Sequence, residues 1–162
     1  MLTDREIILT RAGLKKIEDE LEHLQTHHRR EVADRIRESR QYGDLAEMGG
    51  NAEYEEAKAE QALVEGRILE LKRILSNARV VDESEVPTDV VGIGSVVTVR
   101  DLESNAEWDW EIVGPVEADP EQFRISYESP VGRALVGKRP GDEVKVSVPA
   151  GVRSYKIVGL GK

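Results

Sequence analysis

The sequence predicts an α+β chain in two parts: an N-terminal long antiparallel α-helical coiled-coil hairpin, then a small antiparallel β-sheet domain with one short helix. Three observations predict it. Apolar residues recur at helical spacing through the first half, a glycine-rich break divides that half in two, and beyond an acidic, proline-containing stretch the apolar period falls to two.

The first element runs from Thr10 to Tyr42 without a proline. Leu14, Ile17, Leu21 and Leu24 keep the three-four spacing of one helical stripe, which resumes at Val32 and Ile36. The step from Leu21 to Val32 is an eleven-residue spacing, expected to relax left-handed supercoiling locally. A second run, Tyr54, Ala57, Gln61, Val64, Ile68, Leu71 and Leu75, keeps heptad spacing. Between the runs, Gly43 to Asn51 contains three glycines that break helix and permit a tight reversal. At a rise of about 1.5 Å per residue, about 33 helical residues make an arm roughly 50 Å long.

Residues 82–89, Asp-Glu-Ser-Glu-Val-Pro-Thr-Asp, read as a linker, which assigns residues 1–81 to the hairpin and 90–162 to the sheet domain. In that domain Val97 and Val99, then Trp108, Trp110 and Ile112, then Val144, Val146 and Val148 alternate with mostly polar neighbours, as half-buried strands do. Phe123 to Tyr127 and Val152 to Val158 are further strand candidates. Ser129-Pro130 supplies an N-cap and first helical position and Gly137 a C-cap, so Ser129 to Val136 is expected to be the short helix.

A length of 162 residues with 39% hydrophobic content suits two modest domains. The absence of cysteine excludes disulfides, thiolate metal sites and cysteine nucleophiles. The first ten residues carry Asp4, Arg5 and Glu6 in place of a signal-peptide core, and no run approaches membrane-spanning length, so the expected location is the cytoplasm, away from membranes. A net charge of -9 argues against generic affinity for nucleic acid, because binding to phosphate backbones is driven by cationic neutralisation. Contact with nucleic acid must then be local or delivered by a partner.

Two features carry candidate chemistry. Asp44 and Glu47 stand three residues apart at the tip of the hairpin, and paired carboxylates are hard oxygen ligands suited to Mg²⁺. The plainer alternative is that Asp44 caps the turn while Glu47 is solvated, and spacing does not choose between them. On the first helix, Arg29, Arg30, Arg37 and Arg40 fall within one arc, with Glu31, Asp34 and Glu38 on another. Guanidinium groups match phosphate geometry, so this row would draw an RNA chain towards the tip; an ordinary solvated face is the alternative.

Gly43-Asp44-Leu45-Ala46-Glu47, followed by Asn51-Ala52-Glu53-Tyr54 and Ala57-Lys58, resembles the hairpin-tip signature of the GreA/GreB transcript-cleavage factors. Ser129-Pro130-Val131-Gly132-Arg133-Ala134-Leu135-Val136-Gly137-Lys138 resembles that family's C-terminal signature, and Leu75-Ser76-Asn77-Ala78 with Val80 and Asp82 resembles the end of its second helix. The resemblance spans essentially the whole chain in the right order. It implies a coiled-coil arm that enters the secondary channel of RNA polymerase, an FKBP-like second domain that docks at the channel rim, and stimulated cleavage of the backtracked 3' end of nascent RNA. The protein would be a monomeric activator that completes another enzyme's site, and not an enzyme. By the same resemblance Asp44 and Glu47 help the polymerase hold its Mg²⁺, with none bound tightly by the free protein. Arg40 and Lys58 match basic positions that face RNA, and Ser129, Pro130, Arg133, Leu135, Gly137 and Lys138 belong to the docking domain.

Met48-Gly49-Gly50 departs from the family pattern by lengthening the tip between Glu47 and Asn51. Adjacent glycines add conformational freedom that would place Glu47 less firmly. Two other readings follow: a channel binder that does not promote cleavage, and a chaperone or prolyl isomerase whose pocket is lined by Trp108, Trp110, Phe123, Tyr127 and Tyr155.

Overall fold

The computed structural model describes residues 6–41 and 52–162. The chain divides into two compact units, residues 14–77 and a second unit that joins the chain's first 13 residues to 78–162. The expected boundary at 81/82 is therefore moved. Strand β1 (Ile7–Thr10) pairs in parallel with β2 (Ala78–Val81), in the register Ile7 to Ala78 through Thr10 to Val81, and this pair belongs to the sheet-bearing unit. The expected linker is folded as well. Glu83–Glu85 form one turn of 3₁₀ helix closed by a capping box between Asp82 and Glu85, and Val86 is buried.

The helical unit is the expected hairpin. Helix α1 (Arg11–His23) continues through a π-helical segment (Leu24–His28) into α2 (Arg29–Gln41), and α3 (Ala52–Ser76) runs back along them. Val32, Ile36, Ala57, Val64 and Ile68 form the buried seam, with Leu21, Leu24 and Tyr54 packed against it. The antiparallel sense is fixed by ion pairs between the helices, because Glu20 meets Arg67, Arg29 meets Glu65 and Arg35 meets Glu60. The π segment explains the irregular spacing. Continuing the heptads of Leu14, Ile17, Leu21 and Leu24 would bury residues 31, 35 and 38, whereas Val32, Ile36 and Ser39 are buried, each one residue later. A π turn takes up one extra residue without ending the helix, so the slip is absorbed at 24–28 and not spread along the supercoil.

In the second unit five strands form one sheet in the order β5-β4-β3-β7-β6, built from β3 (Val96–Asp101), β4 (Glu107–Val113), β5 (Arg124–Ser126), β6 (Glu143–Val148) and β7 (Gly151–Gly161). Every neighbour pair is antiparallel except β4 with β5, which is parallel, so the sheet is mixed where a wholly antiparallel one was expected. Alternation places Val97, Val99, Ile112, Val144, Val146 and Ile157 on one face, and α4 (Pro130–Leu135) adds Leu135 to that core. Trp108 stacks on Trp110 at 5.9 Å between ring centroids, and Trp110 meets Tyr155 edge-on at 5.3 Å. These rings pack against the core as filling. Phe123, expected in a strand, instead ends the 3₁₀ turn Pro120–Gln122 in a left-handed conformation (φ 60°) and is half exposed.

Candidate functional site

Asp44 and Glu47, with the Met48-Gly49-Gly50 insertion, lie outside the described residues. What the structure describes is the arm that carries them. On α2 the expected arginine row is exposed but not uniformly free. Arg29 donates through Nε and Nη2 to both carboxylate oxygens of Glu65, at 2.8 and 2.9 Å, and so ties α2 to α3. Arg37 donates to Asp34 at 2.5 Å, an acid that the sequence placed on a separate arc. The segregation of charge is therefore broken by pairing one turn apart. Arg30 and Lys58 are exposed and form no ion pair among the described residues. Arg40 lies over the Tyr54 ring, 5.8 Å from its centroid, which fixes a cation at the end of α2 against the first turn of α3.

Just below the arginine row lies a network that sequence reasoning missed. Glu60 receives the Arg35 guanidinium and shares a 2.9 Å hydrogen bond with His28 Nε2, where His28 closes the π segment. The Arg35 guanidinium first, and then the His28 ring, hold the Glu60 carboxyl below its ordinary value. The only signal in the sequence was the one-residue slip in the apolar stripe, which marks the π turn but not its partner on α3.

The second candidate region is α4 and the loop after it. The Ser129 Oγ accepts from the Gly132 N–H at 3.1 Å and donates to the Ser126 carbonyl at 2.7 Å, and Pro130 takes the first helical position. Gly132 is required there, because a Cβ would collide with the Ser126 carbonyl oxygen. Gly137 turns the chain out of the helix at φ 84°, donating to the Val91 carbonyl, while the Lys138 carbonyl accepts from the Val91 N–H. Leu135 is fully buried and anchors α4 to the sheet. Arg133 and Lys138 are exposed, and with Ala134, Glu143, Val144 and Lys145 they line a shallow depression of about 320 Å³. Ser129, Pro130 and Gly137 thus shape the surface that these cations occupy.

Two profiles of one family match successive parts of the chain. Residues 7–80 match "Transcription elongation factor, N-terminal", and residues 86–161 match "Transcription elongation factor, GreA/GreB, C-term". The chain is 52% identical to a transcription elongation factor GreA from Acetivibrio thermocellus over 162 residues, covering 100% of each chain. The chain belongs to the GreA/GreB family. A second GreA, from Clostridium beijerinckii, is 50% identical over 100% of this chain and 99% of its own length. Among solved structures, GreA factor homolog 1 of Thermus thermophilus matches at 32% identity over 98% of this chain and all of its own, with a TM-score of 0.43. As a GreA-type elongation factor the chain acts in transcription, so the isomerase reading of its aromatic residues falls away. Among the described residues no helix is long and apolar enough to cross a membrane.

Proposed function

We propose that this GreA-type factor binds RNA polymerase in the cytoplasm, places its arm in the secondary channel, and stimulates cleavage of the backtracked 3' end of nascent RNA. The observation that carries the proposal is the contact of Arg40 with the Tyr54 ring, which holds a cation at the end of α2, four residues before Asp44 in the sequence. The donor set fits the metal: two carboxylates are hard oxygen ligands of the kind Mg²⁺ takes alongside water and phosphate oxygens. When bound, Mg²⁺ polarises a phosphoryl oxygen and lowers the pKa of a coordinated water. The chain's own residues position and attract. Asp44 and Glu47 add ligands to a metal shared with the polymerase and held weakly by the free protein, while Arg30, Arg40 and Lys58 draw the RNA along the arm. Arg133 and Lys138 present charge to the polymerase from the second unit.

The test is transcript cleavage on stalled elongation complexes at millimolar-order Mg²⁺. Wild-type protein should shorten the RNA, and Asp44→Ala and Glu47→Ala should each suppress shortening while leaving polymerase binding nearly unchanged. Binding without cleavage at any Mg²⁺ concentration would remove the activator reading and leave a passive channel binder, with Met48-Gly49-Gly50 as its cause. Damage by Asp44→Ala alone would assign the role to one acid.

A further inference from the structure

Helix α3 carries a second heptad stripe on the side away from the hairpin seam. Taking about 100° per residue, Glu55, Ala59, Ala62, Gly66, Leu69 and Arg73 lie within roughly 40° of the direction opposite Val64. All six are exposed, Leu69 at 69%, and Leu63 on the flank of the stripe is 75% exposed. Leucines this bare on a regular helix, three and four residues from small neighbours, are unlike the charged outer face of an ordinary two-helix arm. Gly66 sharpens the point. Glycine weakens a helix interior relative to alanine, yet a Cβ at Gly66 would meet nothing within 4 Å, so no contact inside the chain calls for its small size. Its absent side chain would serve the close approach of another helix.

We infer that this stripe is a self-association surface, on which α3 of a second copy of the chain packs antiparallel about a two-fold axis beside residue 64. Charge complementarity selects this occupant. In that register Glu55 lies opposite Arg73 of the second copy, with Ala59 against Leu69 and Ala62 against Gly66. The two-fold axis repeats each pairing, so the ends of the stripe match in charge and its middle is apolar and small. Among the described residues Glu55 and Arg73 form no ion pair and are available for it. From Glu55 to Arg73 the stripe extends about 27 Å at 1.5 Å per residue. Such a patch falls short of the roughly 1,200 Å² of total buried surface typical of stable complexes, so the association is weak and reversible.

Sedimentation velocity over a wide range of concentration, on the full chain without polymerase, tests this. Wild-type protein should shift towards the dimer at high concentration. Glu55→Arg and Arg73→Glu should each weaken the shift at least tenfold, and the double variant should recover it, because a charge swap restores only the pairing present in this register. Gly66→Ala should also weaken association while raising helix content in the dilute monomer, which separates a contact effect from misfolding. A sedimentation coefficient independent of concentration up to the millimolar range would overturn the inference. So would single variants and a double variant that all behave as wild type. If Gly66→Ala lowers affinity for polymerase and leaves self-association absent or unchanged, the stripe belongs to the polymerase and the second-copy assignment is wrong.

Discussion

Gly13→Ala tests the best-defined polar contact in the sheet-bearing unit. The buried carboxylate of Glu117 accepts from the Thr10 N–H at 2.7 Å and from the Thr10 hydroxyl at 2.5 Å, and the same hydroxyl accepts from the Gly13 N–H at 3.1 Å as the N-cap of α1. A Cβ on residue 13 would occupy the place of the Glu117 carboxylate, so the side chain must swing out. Two hydrogen bonds to a charged acceptor are then lost, at about 1.5 kcal/mol each on the low side of the usual range. Alanine returns about 1 kcal/mol of helix propensity. The net expected loss is about 2 kcal/mol. In a Glu117→Ala background the obstruction is gone, so the same substitution should stabilise by roughly 0.5–1 kcal/mol. Both tryptophans of the chain, Trp108 and Trp110, lie in this unit, so urea unfolding followed by tryptophan fluorescence reads it selectively. The sign reversal between backgrounds is the decisive result; an equal destabilisation in both would mean that Glu117 is not what Gly13 makes room for.

Asp101 is buried at the β3–β4 turn and is held below the ordinary carboxylate range, first by the Glu103 N–H at 2.8 Å and then by the Ser104 N–H and Arg153. A depressed folded-state pKa stabilises above the unfolded-state value and the benefit disappears as pH falls through the folded one. Asp101→Asn should therefore lower the urea midpoint at pH 7, with the gap to wild type closing below about pH 4; a gap independent of pH would contradict the charge argument. Tyr54→Ala should slow single-turnover cleavage by up to about fivefold, the equivalent of the roughly 0.5–1 kcal/mol of an exposed cation–π contact, while Tyr54→Phe should not; equal damage by both would refer the effect to the hydroxyl. Arg133→Glu with Lys138→Glu should weaken polymerase binding at least tenfold at low salt and less at high salt, and unchanged affinity at low salt would clear this surface of a docking role. Leu135→Ala should instead act on folding, costing about 2–5 kcal/mol in urea unfolding, because its side chain leaves a hole in the core.

Features dictated by local periodicity were legible in the sequence. The seam of α2 and α3 follows from three-four spacing because each helix has one face to bury, and β3, β4 and β6 follow from period two because one face of the sheet is covered. Contacts distant in sequence and made by short segments were not. Ile7 to Thr10 is four residues long and pairs with a strand 71 positions away, so neither its type nor its unit could be read locally. The parallel β4–β5 pair escaped for the same reason, since alternation gives a strand its face and not its neighbour. Phe123 was misplaced because its period-two position coincides with a turn that needs a positive φ, which is uncommon for a bulky residue.

Charge was legible as a list of residues and illegible as a set of partners. The sequence placed Arg29, Arg30, Arg37 and Arg40 on one arc, but the fold gives each a different availability. Among the described residues Arg30 has no ion-pair partner, so it could meet a phosphate without breaking one. Arg37 must leave Asp34, an exposed pair three residues apart in one helix, which is worth at most about 1 kcal/mol and is weakened by salt. Arg29 must break a two-point contact that also ties α2 to α3, so its release would loosen the arm at the moment of binding. Arg40 has, among the described residues, a ring contact in place of an ion pair, 5.8 Å from the Tyr54 centroid and worth about 0.5–1 kcal/mol at an exposed site. The row is thus a graded series. In the RNA-facing role proposed for the row, Arg30 and Arg40 would be available at once, Arg37 at small cost, and Arg29 serves the arm's own structure.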